Sequence, residues 1–408
     1  MAITKGPLNG IRVLDLSQAH AGPFGTMLLG DLGAEIIKLE SPVGDLLRVG
    51  DPTVNILNYY ILSLNRNKKS IVLDLESKKG KKAFYDLVKN SDVVYSNFRA
   101  DVLEKQGSDF DALKKINPRI IRCNISGYGH TGPYTKYPAY DIIACGHSGI
   151  LSVSGEEGRP PVIPGGIAMA DMMGGIYAVL SVLASIISRS NKKKGVRAEV
   201  NLLDSMIFMQ KVLFQTMFAT GNPPSMQGRR HHMLPTYGLF ETKDGFMTIG
   251  PSDDSLLIKL TNLDHIKKDP DLDSPLNRII NKDKFMSHFE KALKQETTNH
   301  WLKLFRDEND IASGPVLNYE EVVNDPQVIH NDMIKEMDLK GDKYKTIGSI
   351  FKMPGVIEGE NESAPDLGAH TKEILQSILN YSDSDVEEIL KENQVAIPRM
   401  QNRKKNKK

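Results

Sequence analysis

The stretch IRVLDLSQAHAGPFGTMLLGDLGAEIIKLE, residues 11–40, decides the fold class. Ile11–Ser17 is apolar enough to read as a short strand. AGPFG at 21–25 opens a helix that runs through Leu29 and stops at Gly33, and Glu35–Glu40 returns as a second strand. Strand, helix and strand in this order form a right-handed βαβ unit, which builds a parallel sheet.

The pattern continues outward. Ser70–Leu75 reads as a third strand, followed by an amphipathic helix over Lys78–Lys89. Asp92–Phe98 reads as a fourth strand and Ile120–Ser126 as a fifth. A long apolar helix, Gly174 to about Ser190, precedes a further strand at Val196–Leu203. Alternation of this kind predicts an α/β domain with a parallel sheet. Ligands in such sheets sit beyond the carboxyl ends of the strands. Here those ends are Ser17–Pro23, Glu40–Arg48, Ser96–Arg99 and Ser126–Tyr140.

A helix from Leu203 to Phe218 closes this first part, residues 1–220. The turn-rich GNPPSMQGRRHHMLPT, residues 221–236, reads as a linker. A smaller α+β unit follows over 237–317. It opens with a hairpin around Lys243–Asp244 and continues with helices starting near Leu256, Lys282 and Thr298. Residues 318–367 read as a second connecting segment and 368–395 as C-terminal helices. The like-charged end, 396–408, reads as a disordered basic tail, with contact to an anionic surface as the alternative.

Composition narrows the function classes. The chain has 408 residues, 40% hydrophobic and 25% charged, which suits a globular protein of two domains. A net charge of +1 points to neither nucleic acid nor membrane. The two cysteines suggest no disulfide framework or zinc site, and MAITKGPLNG carries no signal-peptide core, so a cytoplasmic location is expected. The apolar run Ile176–Ile187 reads as too short to cross a bilayer. His231-His232 lacks a third ligand at helical spacing, so no metal site is expected.

Two motifs carry chemistry. GYGHTG, residues 127–132, fits G-x-G-x-x-G after a strand, but Pro133 follows and no helix opens at the third glycine. A dinucleotide fingerprint needs that helix, so the glycines predict an irregular loop instead. PVIPGGIAMADMMGGIY, residues 161–177, holds Asp171, the only charged residue between Arg159 and Arg189. Asp171 has two readings: an N-cap of the apolar helix, or a nucleophilic carboxylate kept ionised by that helix end.

Five ordered stretches then carry a resemblance. They are residues 8–48, LNRNKKSIVLDL at 64–75, YSNFRADVLEKQG at 95–107, INPRIIRCNISGYGHTGPY at 116–134 and AMADMMGGIYA at 168–178. Together the chain resembles the family III CoA-transferases, with the related α-methylacyl-CoA racemases, over about residues 8–395. The resemblance implies a Rossmann-like large domain, a small domain reached by a linker, a C-terminal segment that returns to the large domain, and an interlocked homodimer. It implies acyl-CoA and a carboxylic acid as substrates and no permanently bound cofactor.

The resemblance also assigns roles. Asp171 matches the catalytic aspartate, which would form an anhydride and then an aspartyl-CoA thioester, with the small residues around it leaving room for an oxyanion. Arg48, Lys68 and Lys69 match nucleotide-end positions, and Asn97 and Phe98 match a strand-end pair. Lys105 stands where the family often has Arg, a better bidentate phosphate partner. His20 and Tyr140 match substrate contacts. One departure is that Thr248–Asp254, where many members have a glycine-rich loop, has a single glycine. A racemase acting by α-proton transfer and an inactive CoA-binding protein are the alternative functions. The intact Asp171 speaks against the second.

Overall fold

The computed structural model describes residues 5–48, 59–163, 166–231, 234–339, 341–357 and 361–405, with side chains through residue 401. His232 and the last three residues of the basic tail therefore lie outside the described residues. The chain divides into two compact units. The first is Met1–Gly149, Gly166–Lys211 and Asp332–Lys408; the second is Ile150–Gly165 and Val212–Asn331.

The first unit is built on six strands: β1 (Arg12–Asp15), β2 (Glu35–Glu40), β3 (Lys68–Val72), β4 (Val93–Ser96), β5 (Ile121–Ser126) and β6 (Val196–Asn201). Their order is β3-β2-β1-β4-β5-β6, and every pairing is parallel. Leu14 in β1 stands beside both Ile37 and Val94. Because strands buried on both faces need apolar side chains on both, Leu14, Ile37, Ile71 and Val94 are fully buried. This is the doubly wound order of a Rossmann-like domain, with its switch point between β1 and β4.

One face of the sheet packs on α2 (Lys78–Lys89), whose apolar stripe of Ala83, Phe84, Leu87 and Val88 is buried. Ser77 caps this helix by accepting from the Gly80 N–H. The other face carries α1 (Ala21–Asp31) and α4 (Met169–Lys192), between which lies the short α3 (Asp141–His147) in chain order. At 24 residues α4 is longer than the sequence predicts, and it is long and apolar enough to span a membrane by length and composition. In this fold Ala178, Val179 and Val182 are buried, and Arg189 pairs with Asp92 at 2.9 Å. Gly174 and Gly175 let α4 approach its neighbours. A Cβ on Gly175 would stand 2.9 Å from the Ala21 carbonyl oxygen, and one on Gly174 2.7 Å from Leu202. These two glycines serve helix packing.

The predicted helix over 203–218 is two helices, α5 (Leu202–Met209) and α6 (Lys211–Thr220), and the two units divide at their junction. Residues 150–165 join the second unit, whose core of Phe240, Met247, Phe285, Phe289, Trp301 and Phe305 lies under an antiparallel sheet, β7 (Gly238–Glu241), β8 (Phe246–Ile249) and β9 (Ser313–Pro315).

The chain rejoins the first unit at Asp332, earlier than the predicted 368. It forms a hairpin, β10 (Ile334–Leu339) with β11 (Asp342–Ile347), then α7 (Thr371–Ser377) and α8 (Asp383–Lys405). These last helices seal the free edge of β3. His370 donates its N–H to the Ser70 carbonyl at 2.9 Å, Val72 N–H donates to Thr371 Oγ1 at 3.1 Å, and Asn393 Nδ2 donates to the Val72 carbonyl at 2.9 Å. The tail expected to be disordered from 396 is instead helical through Lys405, because buried Val386, Ile389 and Ala396 and an Arg399–Asp74 ion pair hold it against the sheet.

Candidate active site

The strand ends at the switch point are tied to one another. The Gln18 N–H donates to Asn97 Oδ1 at 2.9 Å, and Asn97 Nδ2 returns a bond to the Gln18 carbonyl at 2.7 Å. Ala19 adopts a φ of +60°, a conformation that L-residues rarely hold without support. The support is a buried pair: Lys38 Nζ binds the Ser17 carbonyl and Asp45 Oδ2, both at 2.9 Å, while Asp45 Oδ1 accepts from the Ala19 N–H at 3.1 Å. This clamp presents His20 at the start of α1. Beyond these ends lies a cavity of about 200 Å³ whose lining includes Gln18, His20, Asn97, Phe98, Tyr140 and Asp171. Asp171 is the one carboxylate among the described lining residues.

Asp171 is not the N-cap of α4. That position is Ala168, which supplies no side-chain cap, and Asp171 is the third residue of the helix. Asp141, from the first turn of α3, does the capping: its Oδ1 accepts from the N–H of Ala170 at 2.6 Å and of Asp171 at 3.2 Å. Two of the helix-end donors that would favour an ionised Asp171 are thus given to another carboxylate. Burial, and then the negative charge of Asp141, push the Asp171 carboxyl up to about 7. Burial also lowers His20, against an opposing pull from Asp141, so its imidazole is neutral at pH 7.

The cations expected to meet the nucleotide are placed differently. Lys68 is wholly enclosed, and its ammonium binds Asp15 Oδ2, Thr26 Oγ1, Asn65 Oδ1 and the Pro23 carbonyl, all within 3.1 Å. Burial outweighs the pull of Asp15 and lowers it to about 8. Arg48 forms a two-pronged pair with Glu40, both contacts at 2.7 Å. Lys69 binds Glu373 at 2.8 Å. These three side chains are committed to partners inside the unit, and Lys68 is out of reach of any ligand in the cavity. Lys105 is 80% exposed, with Asp101 3.8 Å away.

A second cavity, also about 200 Å³, adjoins the first and shares Gln18 and Phe98 with it. Its lining adds Leu73 and Leu75 from the end of β3, Lys105, and Met400 from α8. The loop after β5 is irregular through residue 140, with Gly129 and Gly132 at φ of +96° and +95°, a region glycine enters freely. His130 and His147 do not line the Asp171 cavity. His130 meets Asn124 at 2.9 Å in a separate pocket, and His147 packs on Tyr128 and Tyr134. Among the described residues, no group of three or more His, Cys, Asp or Glu gathers as a metal site would require.

Sequence reasoning missed Asp141, Gln18 and Met400. The acid that follows Tyr140 and opens a helix was a visible signal for Asp141, but its capping partner lies thirty residues away.

A Rossmann-like unit with one carboxylate in a switch-point cavity fits acyl transfer from a nucleotide-bearing thioester, and the relatives agree. The model for CoA-transferase family III matches residues 8–371, and the chain belongs to that family. It is 34% identical over 400 residues to the succinyl-CoA:glutarate CoA-transferase of Homo sapiens, covering 94% of this chain and 89% of that protein. It is 34% identical over 369 residues to the acetyl-CoA:oxalate CoA-transferase of Acetobacter aceti, covering 89% and 93%. The crystal structure of a CaiB/BaiF family protein from Brucella suis superposes with a TM-score of 0.82 at 30% identity, covering 92% of this chain and all of that one.

Proposed function

We propose that this CoA-transferase works through covalent catalysis by Asp171, and that its acceptor is a small dicarboxylic acid. The observation that carries the first part is the placement of Asp171 as the one described carboxylate in the switch-point cavity. The relatives' names support the second, since glutarate and oxalate are both dicarboxylates.

The ionised Asp171 attacks the thioester carbonyl, the C–S bond breaks, and the CoA thiolate leaves behind a mixed anhydride. The thiolate attacks the Asp171 carbonyl of that anhydride, which releases the donor acid and leaves an aspartyl-CoA thioester. The acceptor carboxylate attacks this thioester, releasing the thiolate and forming a second anhydride. The thiolate then attacks the acceptor's carbonyl, giving the new acyl-CoA and restoring the Asp171 carboxylate. No proton is gained or lost in the cycle, and one difficult exchange is divided into easier ones.

His20, neutral and beside the cavity, hydrogen-bonds the acceptor in this reading, and Tyr140, 70% exposed, contacts the substrate from the mouth. Phe98 and Lys105 face the nucleotide end. The working enzyme is an interlocked homodimer, supported by the large apolar side chains of Leu180, Ile187 and Phe208 that a single chain leaves 55%, 66% and 61% exposed. The test is to incubate enzyme with acyl-CoA, quench with hydroxylamine and map the adduct. A hydroxamate on Asp171 is expected. Transfer activity with a hydroxamate elsewhere, or with none, overturns the assignment.

A further inference from the structure

The C-terminal helix does more than cover an edge strand. Its apolar residues Val386, Ile389 and Ala396 anchor it on the sheet, and Asn393 binds both the Val72 carbonyl and, through Oδ1, the Asp74 N–H at 2.9 Å. Beyond these anchors the helix continues over the carboxyl end of β3. There Arg399 Nη2 meets Asp74 Oδ2 at 2.7 Å and Glu76 Oε2 at 3.5 Å. Asp74 is only 3% exposed, so this ion pair fixes the helix at a defined place rather than loosely at the surface. The next residue, Met400, lines the second cavity together with Leu73, Leu75 and Phe98.

That cavity is lined by apolar Leu16, Leu39, Leu73, Leu75, Phe98 and Met400 and by polar Gln18, Ser41, Asp74, Glu76, Lys105 and Gln106. It adjoins the Asp171 cavity through Gln18 and Phe98. A CoA thioester with its sulfur end at Asp171 is long enough to run past Phe98, and its flat base, with polar ring nitrogens at the edge, suits a cavity of mixed apolar and polar lining with a flexible thioether among it.

We infer that the end of the C-terminal helix is the outer wall of the nucleotide pocket, with Met400 in contact with the base and Arg399 acting through Asp74 as the residue that positions it. This rests on the reading of the chain as binding a CoA thioester across the two cavities. The expected tail of free basic residues is then, at its start, part of the binding site.

The test compares acyl-CoA with the matching acyl-pantetheine, which keeps the thioester and lacks the nucleotide. In Met400→Ala and Arg399→Ala the KM for acyl-CoA rises roughly three- to tenfold, the loss expected for one or two methylene-sized contacts. The kcat, the KM for the acceptor acid and the KM for acyl-pantetheine stay as in the wild type, and Arg399→Lys recovers much of the loss. Thermal melting of each variant serves as the control for folding. An unchanged KM for acyl-CoA in Met400→Ala, or an equal rise for both thioesters, overturns the inference. A wild type that uses the two thioesters with equal KM overturns the underlying placement of the nucleotide, and the inference with it.

Discussion

Asp141 and Asp171 share one helix end: the carboxylate of the first accepts the backbone N–H of the second at 3.2 Å, while its charge opposes ionisation of the second's side chain. One residue thus shapes the turn that carries Asp171 and adds to the effect of burial on its protonation. With Asp171 raised to about 7, kcat/KM should climb as pH rises through neutrality, because only the anion attacks. Asp141→Asn keeps an oxygen to accept the two N–H bonds and removes the charge. The acid limb of its kcat/KM profile should move to lower pH. A limb that stays in place separates Asp141 from the control of Asp171.

Asp171→Asn should abolish transfer and stabilise the fold. Between about pH 4 and pH 7 the folded chain holds a proton that the unfolded chain has released, so this group's contribution to stability falls as pH rises across that window. At pH 8 the carboxylate is partly buried and charged, and replacing it with a neutral amide should raise the unfolding free energy by about 1–2 kcal/mol. The gain should vanish near pH 4. Chemical denaturation at both pH values reads this directly.

Lys68→Met should unfold the domain more readily rather than weaken the hold on CoA. It leaves Asp15 buried without its nearest cation, and removal of one partner from a buried pair costs about 3–5 kcal/mol. A denaturation midpoint equal to the wild type, together with a raised KM for acyl-CoA, would restore Lys68 to the nucleotide site.

Proton exchange at an α-carbon needs a second acid–base group near Asp171. Neither His130 nor His147 lines the cavity, and His20, the one histidine that does, is assigned in this reading to holding the acceptor acid rather than to an α-proton. Incubation with a 2-methylacyl-CoA in deuterated water should leave the α-position unlabelled, while a dicarboxylate draws CoA from a donor thioester. Rapid labelling without transfer would make the enzyme a racemase.

An interlocked dimer cannot trade subunits while folded. Tagged and untagged protein mixed under native conditions should yield no hybrids, whereas mixing after denaturation and refolding should yield them. Hybrids formed natively would exclude the threaded arrangement.

The parallel sheet was legible because local signals agree with it. β2 and the helix Lys78–Lys89 fall where alternation and amphipathic spacing predict. β3 begins two residues before the expected Ser70, since a strand that opens with two lysines looks like a loop until Asp15 is known to enclose one of them. The same blindness hides the partners of the other cations. A sequence shows that Arg48 and Lys69 are positive, but not that Glu40 and Glu373 stand beside them. The family resemblance singled out Asp171, Asn97, Phe98 and His20, and all four line one cavity, whereas the contact between Asp141 and α4 is tertiary and carries no local signal. The tail misled because charge alone predicts solvation, and the anchors that order it, Val386, Ile389 and Ala396, precede it in the chain.

The sealed edge of β3 has a consequence for how the molecule is made. Ser70 meets His370 across 300 residues of chain, so a ribosome releases the sheet's outer strand long before the segment that covers it. Until then the strand presents bare N–H and C=O groups, a template for pairing with another nascent chain. The final helices therefore act as a completion signal. A message truncated before residue 368 would yield a chain with most of its sheet and a sticky flank, and such fragments should aggregate or be degraded rather than persist as inactive monomers.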